Sequence, residues 1–187
     1  MIAITTAETE QDLKGILHLQ KDNLVANISA AEKQGQGFVT VIHSYDQLFN
    51  LNAREKHIIA KDDDRVIGYL LAMTQRSHAD IPVLIPMFDL FNELSQNGSR
   101  IADQNYIVVG QVCIDKSYRG QGILDRCYAA YKDCYSSKYS FAITEIATAN
   151  TRSLAAHRRV GFEKLTTYAA PDGVEWEVVV WNWRKGT

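Results

Sequence analysis

The stretch QVCIDKSYRGQGIL, residues 111–124, decides how the chain is read. It begins as an apolar run, turns a polar corner at residues 115–118, and passes through Arg119, Gly120, Gln121, Gly122 and Ile123 into a long segment of helical pattern. The first amides of a helix have no partner within it, so a glycine-containing corner between a strand and a helix can aim bare N–H groups at an anion. The same glycines would equally serve a sharp turn with no ligand.

Upstream of the corner, residues 106–114 form the most continuous apolar run and predict a central strand. Residues 77–104 break the strand rhythm with Pro82 and Pro86, and then place Met87, Leu90, Phe91 and Leu94 at helical spacing. This insertion carries an apolar face that packs on the domain, covers a cleft or meets a partner subunit. Before it, HIIA and RVIGYLLAM flank Lys61, Asp62, Asp63 and Asp64, a hairpin with a polar turn. Strand neighbours point to opposite faces, so the aspartates read as a solvated turn rather than a cation site. The run GFVTVIHSYDQLF, residues 37–49, predicts a strand-like piece entering a helix near Ser44, with His43, Tyr45 and Asp46 at the join as caps or substrate contacts. At the start, residues 2–5 predict a strand, and Thr6 or Thr9 caps a helix whose Leu13, Ile16, Leu17 and Leu24 share one face. Residues 28–36 lose this pattern.

Downstream, the helix after Gly122 carries Leu124, Cys127, Tyr128 and Tyr131. Residues 141–149 predict a strand, residues 151–160 a short basic helix closed by Gly161, and residues 162–168 with 175–183 a terminal hairpin. The mixture indicates one α/β or α+β domain of three layers spanning residues 1–187.

Composition fits that picture: 187 residues, 46% hydrophobic, 22% charged and a formal net charge of -2. No basic patch invites nucleic acid. Cys113, Cys127 and Cys134 have no metal-ligand spacing and an odd count, which suits a reducing cytoplasm, and Cys127 and Cys134 are expected in the core. The N-terminus lacks a basic n-region with an apolar h-region, and no apolar run approaches the roughly 20 residues that cross a bilayer. The expectation is a cytoplasmic protein with neither metal nor membrane partner.

Known phosphate loops can be tested against the corner. The P-loop pattern is absent, and the dinucleotide fingerprint would need glycine where Asp125 stands. The segment from Arg119 to Leu124 instead resembles the R-x-x-G-x-[G/A] coenzyme A pyrophosphate loop of the GNAT N-acetyltransferases. Asn150, Ser153, His157, Gly161 and Phe162 resemble that family's N-x-x-A-x-x-x-Y-x-x-x-G-F segment at the same spacing. Two departures matter: Leu124 for a small residue and His157 for tyrosine.

The resemblance implies a GNAT-like mixed sheet of about six or seven strands flanked by helices, with a helical insertion between strands 3 and 4. It also implies acetyl-CoA as co-substrate. Backbone amides of Gly120, Gln121, Gly122, Ile123 and Leu124 would hold the pyrophosphate; Lys116, Arg119 and Arg126 nearly cancel against Asp115 and Asp125, so amides rather than side chains dominate. Val112, Cys113 and Ile114 would splay from the next strand and bond the pantetheine, one N–H polarising the acetyl oxygen. Cys113 as a nucleophile would allow a ping-pong route, whereas the resemblance implies direct transfer. Asn150 would bond the pantetheine arm, cap the following helix, or both, with Ser153 beside it.

His157 is the expected general acid, since an imidazole of pKa about 6.5 can protonate a thiolate; the alternative is a ring facing water at the helix end. Glu145 or Asp115 could serve as base, or a water chain, because alternation alone does not fix where Glu145 points. The expected reaction is acetyl transfer to a primary amine of a small molecule, or to an N-terminal or lysine amino group, by direct attack in a ternary complex. The alternative is a catalytically silent acyl-CoA-binding sensor or interaction domain. By the resemblance, residues 37–46, 77–104 and 168–176 surround the acceptor. A monomer or homodimer is expected, the dimer option resting on the apolar insertion and on Trp181 and Trp183.

Overall fold

The structure, a computed structural model, describes residues 1–24, 39–170 and 172–184. In chain order the elements are β1 (Ile2–Thr6), α1 (Glu10–Asp22), α2 (Tyr45–Arg54), β2 (Ile58–Asp62), β3 (Arg65–Met73), α3 (Ile85–Glu93), the short pair β4 (Ser95–Gln96) and β5 (Ser99–Arg100), β6 (Tyr106–Ile114), α4 (Ile123–Tyr135), β7 (Phe141–Ala147), α5 (Thr151–Val160), β8 (Glu163–Ala169) and β9 (Glu175–Asn182). Short 3-10 helices occur at Gln75–Ala79, Pro82–Leu84, Ile101–Asp103 and Lys116–Tyr118.

Every residue of β3 after Arg65 is buried, the mark of a strand covered on both faces. Tyr69, Leu71 and Met73 join one apolar cluster with α1, α2 and α3, while Leu70 and Ala72 join a second with α4 and α5. The period-two alternation thus assigns the helices to two layers around one sheet. Strand order is β1-β2-β3-β6-β7-β9-β8, antiparallel except for the parallel pair β6 and β7. Among the described residues the result is the GNAT-like layout that the resemblance implies, a mixed seven-stranded sheet flanked by five helices, with α3 and its short neighbours inserted between β3 and β6.

Local chemistry explains most boundaries. Thr9, not Thr6, caps α1: its hydroxyl accepts from Asp12 N–H at 3.1 Å, and the Asp12 carboxylate accepts from Thr9 N–H at 3.0 Å. Ser44 and Gln47 repeat this box on α2. Gly161, at φ 116°, takes the left-handed conformation that ends α5.

Several expectations need correction. Leu24 lies beyond α1, and Leu19 completes its buried face instead. The strand-like piece before Ser44 reduces to one bridge between Leu24 and Val39. Side chains take its backbone groups: Gln111 Nε2 donates to Val41 O at 2.9 Å, and His43 N–H donates to Gln20 Oε1 at 2.8 Å. The expectations for residues 28–36, Gly37 and Phe38 lie outside the described residues. Cys127 is buried but Cys134 is exposed. The buried stripe of α4 steps through Ile123, Cys127, Tyr131 and Tyr135, and each four-residue step drifts it round the helix, away from Cys134. Trp181 and Trp183 are partly buried against the second apolar cluster, Trp181 with its ring 5.8 Å from Tyr128 and 5.5 Å from Phe162.

Candidate active site

The site begins with a defect in β6. Leu71 pairs with Gln111 but Ala72 pairs with Val109, which leaves Gly110 as an extra, bulged residue. A Cβ at Gly110 would lie 2.3 Å from the thioether end of Met73, so a larger residue there would require that flexible side chain to move. β6 pairs with β7 only from Tyr106–Phe141 to Val108–Ile143. There the Thr144 hydroxyl donates to Val109 O at 2.8 Å and the ladder stops. Asp115 N–H still bonds Ile67 O of β3 at 2.8 Å. Alternation along the strand therefore turns the backbone groups of Val112 and Ile114 toward the opening.

The corner after β6 is built from within. The Asp115 carboxylate accepts from Ser117 N–H at 2.9 Å and pairs with Arg65, so it anchors the corner and is not placed to act as a base. Arg119 Nε donates to Ile114 O at 2.9 Å, and another of its nitrogens donates to Asn23 Oδ1 at 2.8 Å. This guanidinium ties the corner to the strand end and to the residue that caps α1. Gly120 and Gly122 have φ of 78° and 72°, and a Cβ on either would meet nothing within 4 Å. The start of α4 is thus a bare cradle with no side-chain cap, and it fits the oxygen-rich anion of a diphosphate.

A cleft of about 410 Å³ runs from this cradle along the opened edge of β6 to Asn150, Ser153 and His157 on α5. It brings together every expected binding residue except Gln121, whose side chain turns back to Ser117 O at 3.2 Å. Leu124 is half-buried in the cleft wall. Asn150 caps α5, its Oδ1 accepting from Ser153 N–H at 3.3 Å.

A second cavity of about 460 Å³ meets the first at Val112, Asn150, Ser153 and His157. Thr40 and Val41, the insertion residues Leu84 and Met87, and Tyr168, Asp172 and Trp176 of the terminal hairpin line it. Glu145 lies here too. Its carboxylate accepts from the Tyr168 hydroxyl at 2.5 Å, and burial, partly offset by that bond, raises its pKa from 4.5 to about 6.

His157 does not fit the role of proton donor. It is 2% exposed, and burial lowers its pKa to about 4, so the ring is neutral at physiological pH. Nδ1–H donates to Ser153 O at 2.8 Å, which leaves Nε2 to accept from the Tyr128 hydroxyl at 2.6 Å. Nor does it face water, because Tyr128 and Phe162 pack edge-on against it. Burial likewise pushes the Cys113 thiol up to about 12, far from a working nucleophile.

Sequence reading did not find the Tyr168 bond to Glu145, the bulge at Gly110, or a network in which Gln111 Oε1 accepts from Gln20 Nε2 and the Tyr69 hydroxyl, each at 2.6 Å. A glycine inside an apolar strand was the available signal for the bulge. Among the described residues no cluster of three or more His, Cys, Asp or Glu could hold a metal ion, and no helix is long and apolar enough to cross a membrane.

Comparison with known proteins agrees with this geometry. Residues 27–162 match the acetyltransferase (GNAT) family. No protein of curated function matches the sequence. Among solved structures, Ard1 from Thermoplasma volcanium superposes with a TM-score of 0.67 at 10% identity, covering 98% of this chain and 99% of that one. A chain of the NatC complex bound to Gag peptide and CoA gives 0.66 at 12% identity, covering 98% and 99%. The yncA protein from Salmonella typhimurium, solved with its cofactor acetyl-CoA, gives 0.65 at 11% identity, covering 100% and 96%. With a bare helix start beside a parted pair of strands, and more than half its length matched to one family, this chain belongs to the GNAT acetyltransferases.

Proposed function

We propose that the protein transfers an acetyl group from acetyl-CoA to a primary amine by direct attack within a ternary complex. The observation that carries this reading is the parting of β6 from β7, with a bare amide cradle at one end and the Glu145 carboxylate at the other. Acetyl-CoA, when bound, supplies an activated thioester. The amides of the corner and the first turn of α4 bind its diphosphate. The Val112 N–H, on the open edge, draws charge onto the acetyl oxygen. Asn150 and Ser153, where the two cavities meet, orient the pantetheine arm.

Glu145 takes the proton from the incoming ammonium group, and a carboxylate of pKa about 6 is ionised at neutral pH yet basic enough to do so. The amine nitrogen then attacks the thioester carbon, the C–N bond forms as the C–S bond breaks, and the second proton shed by the new amide nitrogen passes through water to the departing thiolate. His157 acts as a positioning residue, holding the Ser153 end of α5 against the buried Tyr128 hydroxyl. Incubation with acetyl-CoA and a panel of amines, followed by free-thiol release, tests the reading. Amine-dependent thiol release is expected. Calorimetric binding of acetyl-CoA with no release for any amine would make the domain a silent acyl-CoA sensor.

A further inference from the structure

The second cavity carries information about the acceptor, because its wall divides by chemistry. The insertion contributes Val83, Leu84, Pro86 and Met87, all apolar, and the sheet contributes Glu145 with Tyr168. Asp172, on the terminal turn, adds a second carboxylate at its edge. No lysine or arginine occurs among the described residues that line it, and its one imidazole, His157, is already hydrogen-bonded at both nitrogens. An acceptor bearing a carboxylate or phosphate would lose hydration against the apolar wall, beside like charges and with no cation among the described lining residues to replace the lost water. An ammonium group on an apolar body meets the opposite situation, its charge drawn toward Glu145 and its body covered by the insertion. At about 460 Å³ the cavity has the size of a small-molecule site.

Resting on the acetyl-transfer reading above, we infer that the acceptor is a small primary amine borne on an aliphatic or aromatic body without an anionic group, selected by the apolar wall that residues 83–87 contribute. The insertion is then the specificity element of the enzyme rather than a packing accessory. This assigns it one of the roles its apolar face left open, since Leu84 and Met87 belong at once to the first core and to the cavity wall.

The test compares matched pairs at saturating acetyl-CoA, phenethylamine against phenylalanine and hexylamine against 6-aminohexanoate, with a short peptide beginning in phenylalanine as a further arm. The amine lacking the carboxylate should have the higher kcat/KM by at least about tenfold, since its rival leaves a buried charge uncompensated. Val83 is 69% exposed, so Val83→Arg adds a cation to the wall without disturbing the core. It should lower kcat/KM for the plain amines and raise it for the carboxylated partners, with acetyl-CoA affinity unchanged. Equal or better turnover of the carboxylated compounds, or a ratio unmoved by Val83→Arg in a variant of wild-type thermal stability, overturns the inference. Preferential acetylation of the peptide overturns the small-molecule acceptor. Acetyl-CoA binding with no thiol release in any arm instead overturns the acetyl-transfer reading on which the inference rests.

Discussion

The Glu145–Tyr168 pair allows the proposed base to be tested by pH. Two effects act on the carboxyl group: burial raises its pKa, and the phenol hydrogen bond, made to the ionised form, lowers it, leaving it at about 6. As the base, Glu145 must be ionised, so kcat/KM should rise with pH through about 6 and level off above about 7. Tyr168→Phe removes only the stabilising bond. A hydrogen bond to a charged group contributes about 1.5–3 kcal/mol when well buried, and Tyr168 is only half-buried, so the lower figure applies. At about 1.4 kcal/mol per tenfold, the limb moves from about 6 to about 7. Turnover should then fall about fivefold at pH 6 and only by about a tenth at pH 8.

A stability measurement checks the same group independently. Because the folded-state pKa is raised above 4.5, the native chain holds the proton more tightly, and stability falls as pH rises from about 4.5 to about 6, by no more than about 2 kcal/mol. Glu145→Gln should abolish that slope along with the activity limb. Coincident pH–rate profiles for wild type and Tyr168→Phe, or a wild-type profile in Glu145→Gln, would refute Glu145 as the base.

The other expectations concern the cleft. Gly120→Val forces a β-branched residue to φ 78° and fills the open cradle, so acetyl-CoA affinity measured by calorimetry should drop by at least about tenfold, with about 1–2 kcal/mol of stability lost. His157→Phe strands the buried Tyr128 hydroxyl, and urea unfolding should show about 1–3 kcal/mol of destabilisation. That variant's pH–rate profile should keep its limb, whereas loss of a protonated group from the profile would restore His157 as an acid. Cys113→Ala should retain kcat within about twofold, since a thiol held at about 12 does no covalent work; loss of turnover with normal acetyl-CoA binding would argue for a ping-pong route.

What the sequence made legible was what neighbouring residues dictate. The corner at residues 119–124, the continuous strand before it and the helix stopped by Gly161 all follow from local backbone chemistry, and their order along the chain pointed to a three-layer α/β domain, the mixed sheet itself being what the family resemblance implied. The reacting groups were less legible because each depends on a distant partner. Glu145 is oriented by where β7 parts from β6, and its phenol partner is 23 residues away. His157 sits at the right place in a motif, yet its protonation is decided by the packing of Tyr128 and Phe162, which periodicity shows only as apolar positions. Gln111 read as one polar residue in a strand; that it anchors Gln20, Tyr69 and Val41 is a matter of three-dimensional convergence.

The short pairing of β6 with β7 has a mechanical consequence. Two half-sheets, β1-β2-β3-β6 and β7-β9-β8, are ladder-paired at Tyr106–Phe141, Ile107–Ala142 and Val108–Ile143, with the Thr144–Val109 bond just beyond, so they resemble the arms of a clip joined at one end. The stacked rings of Tyr106 and Phe141, 5.7 Å apart, lie at that joint. The closed end of the mouth, where a long thin ligand must stop, is therefore packed by aromatic residues that line neither cavity.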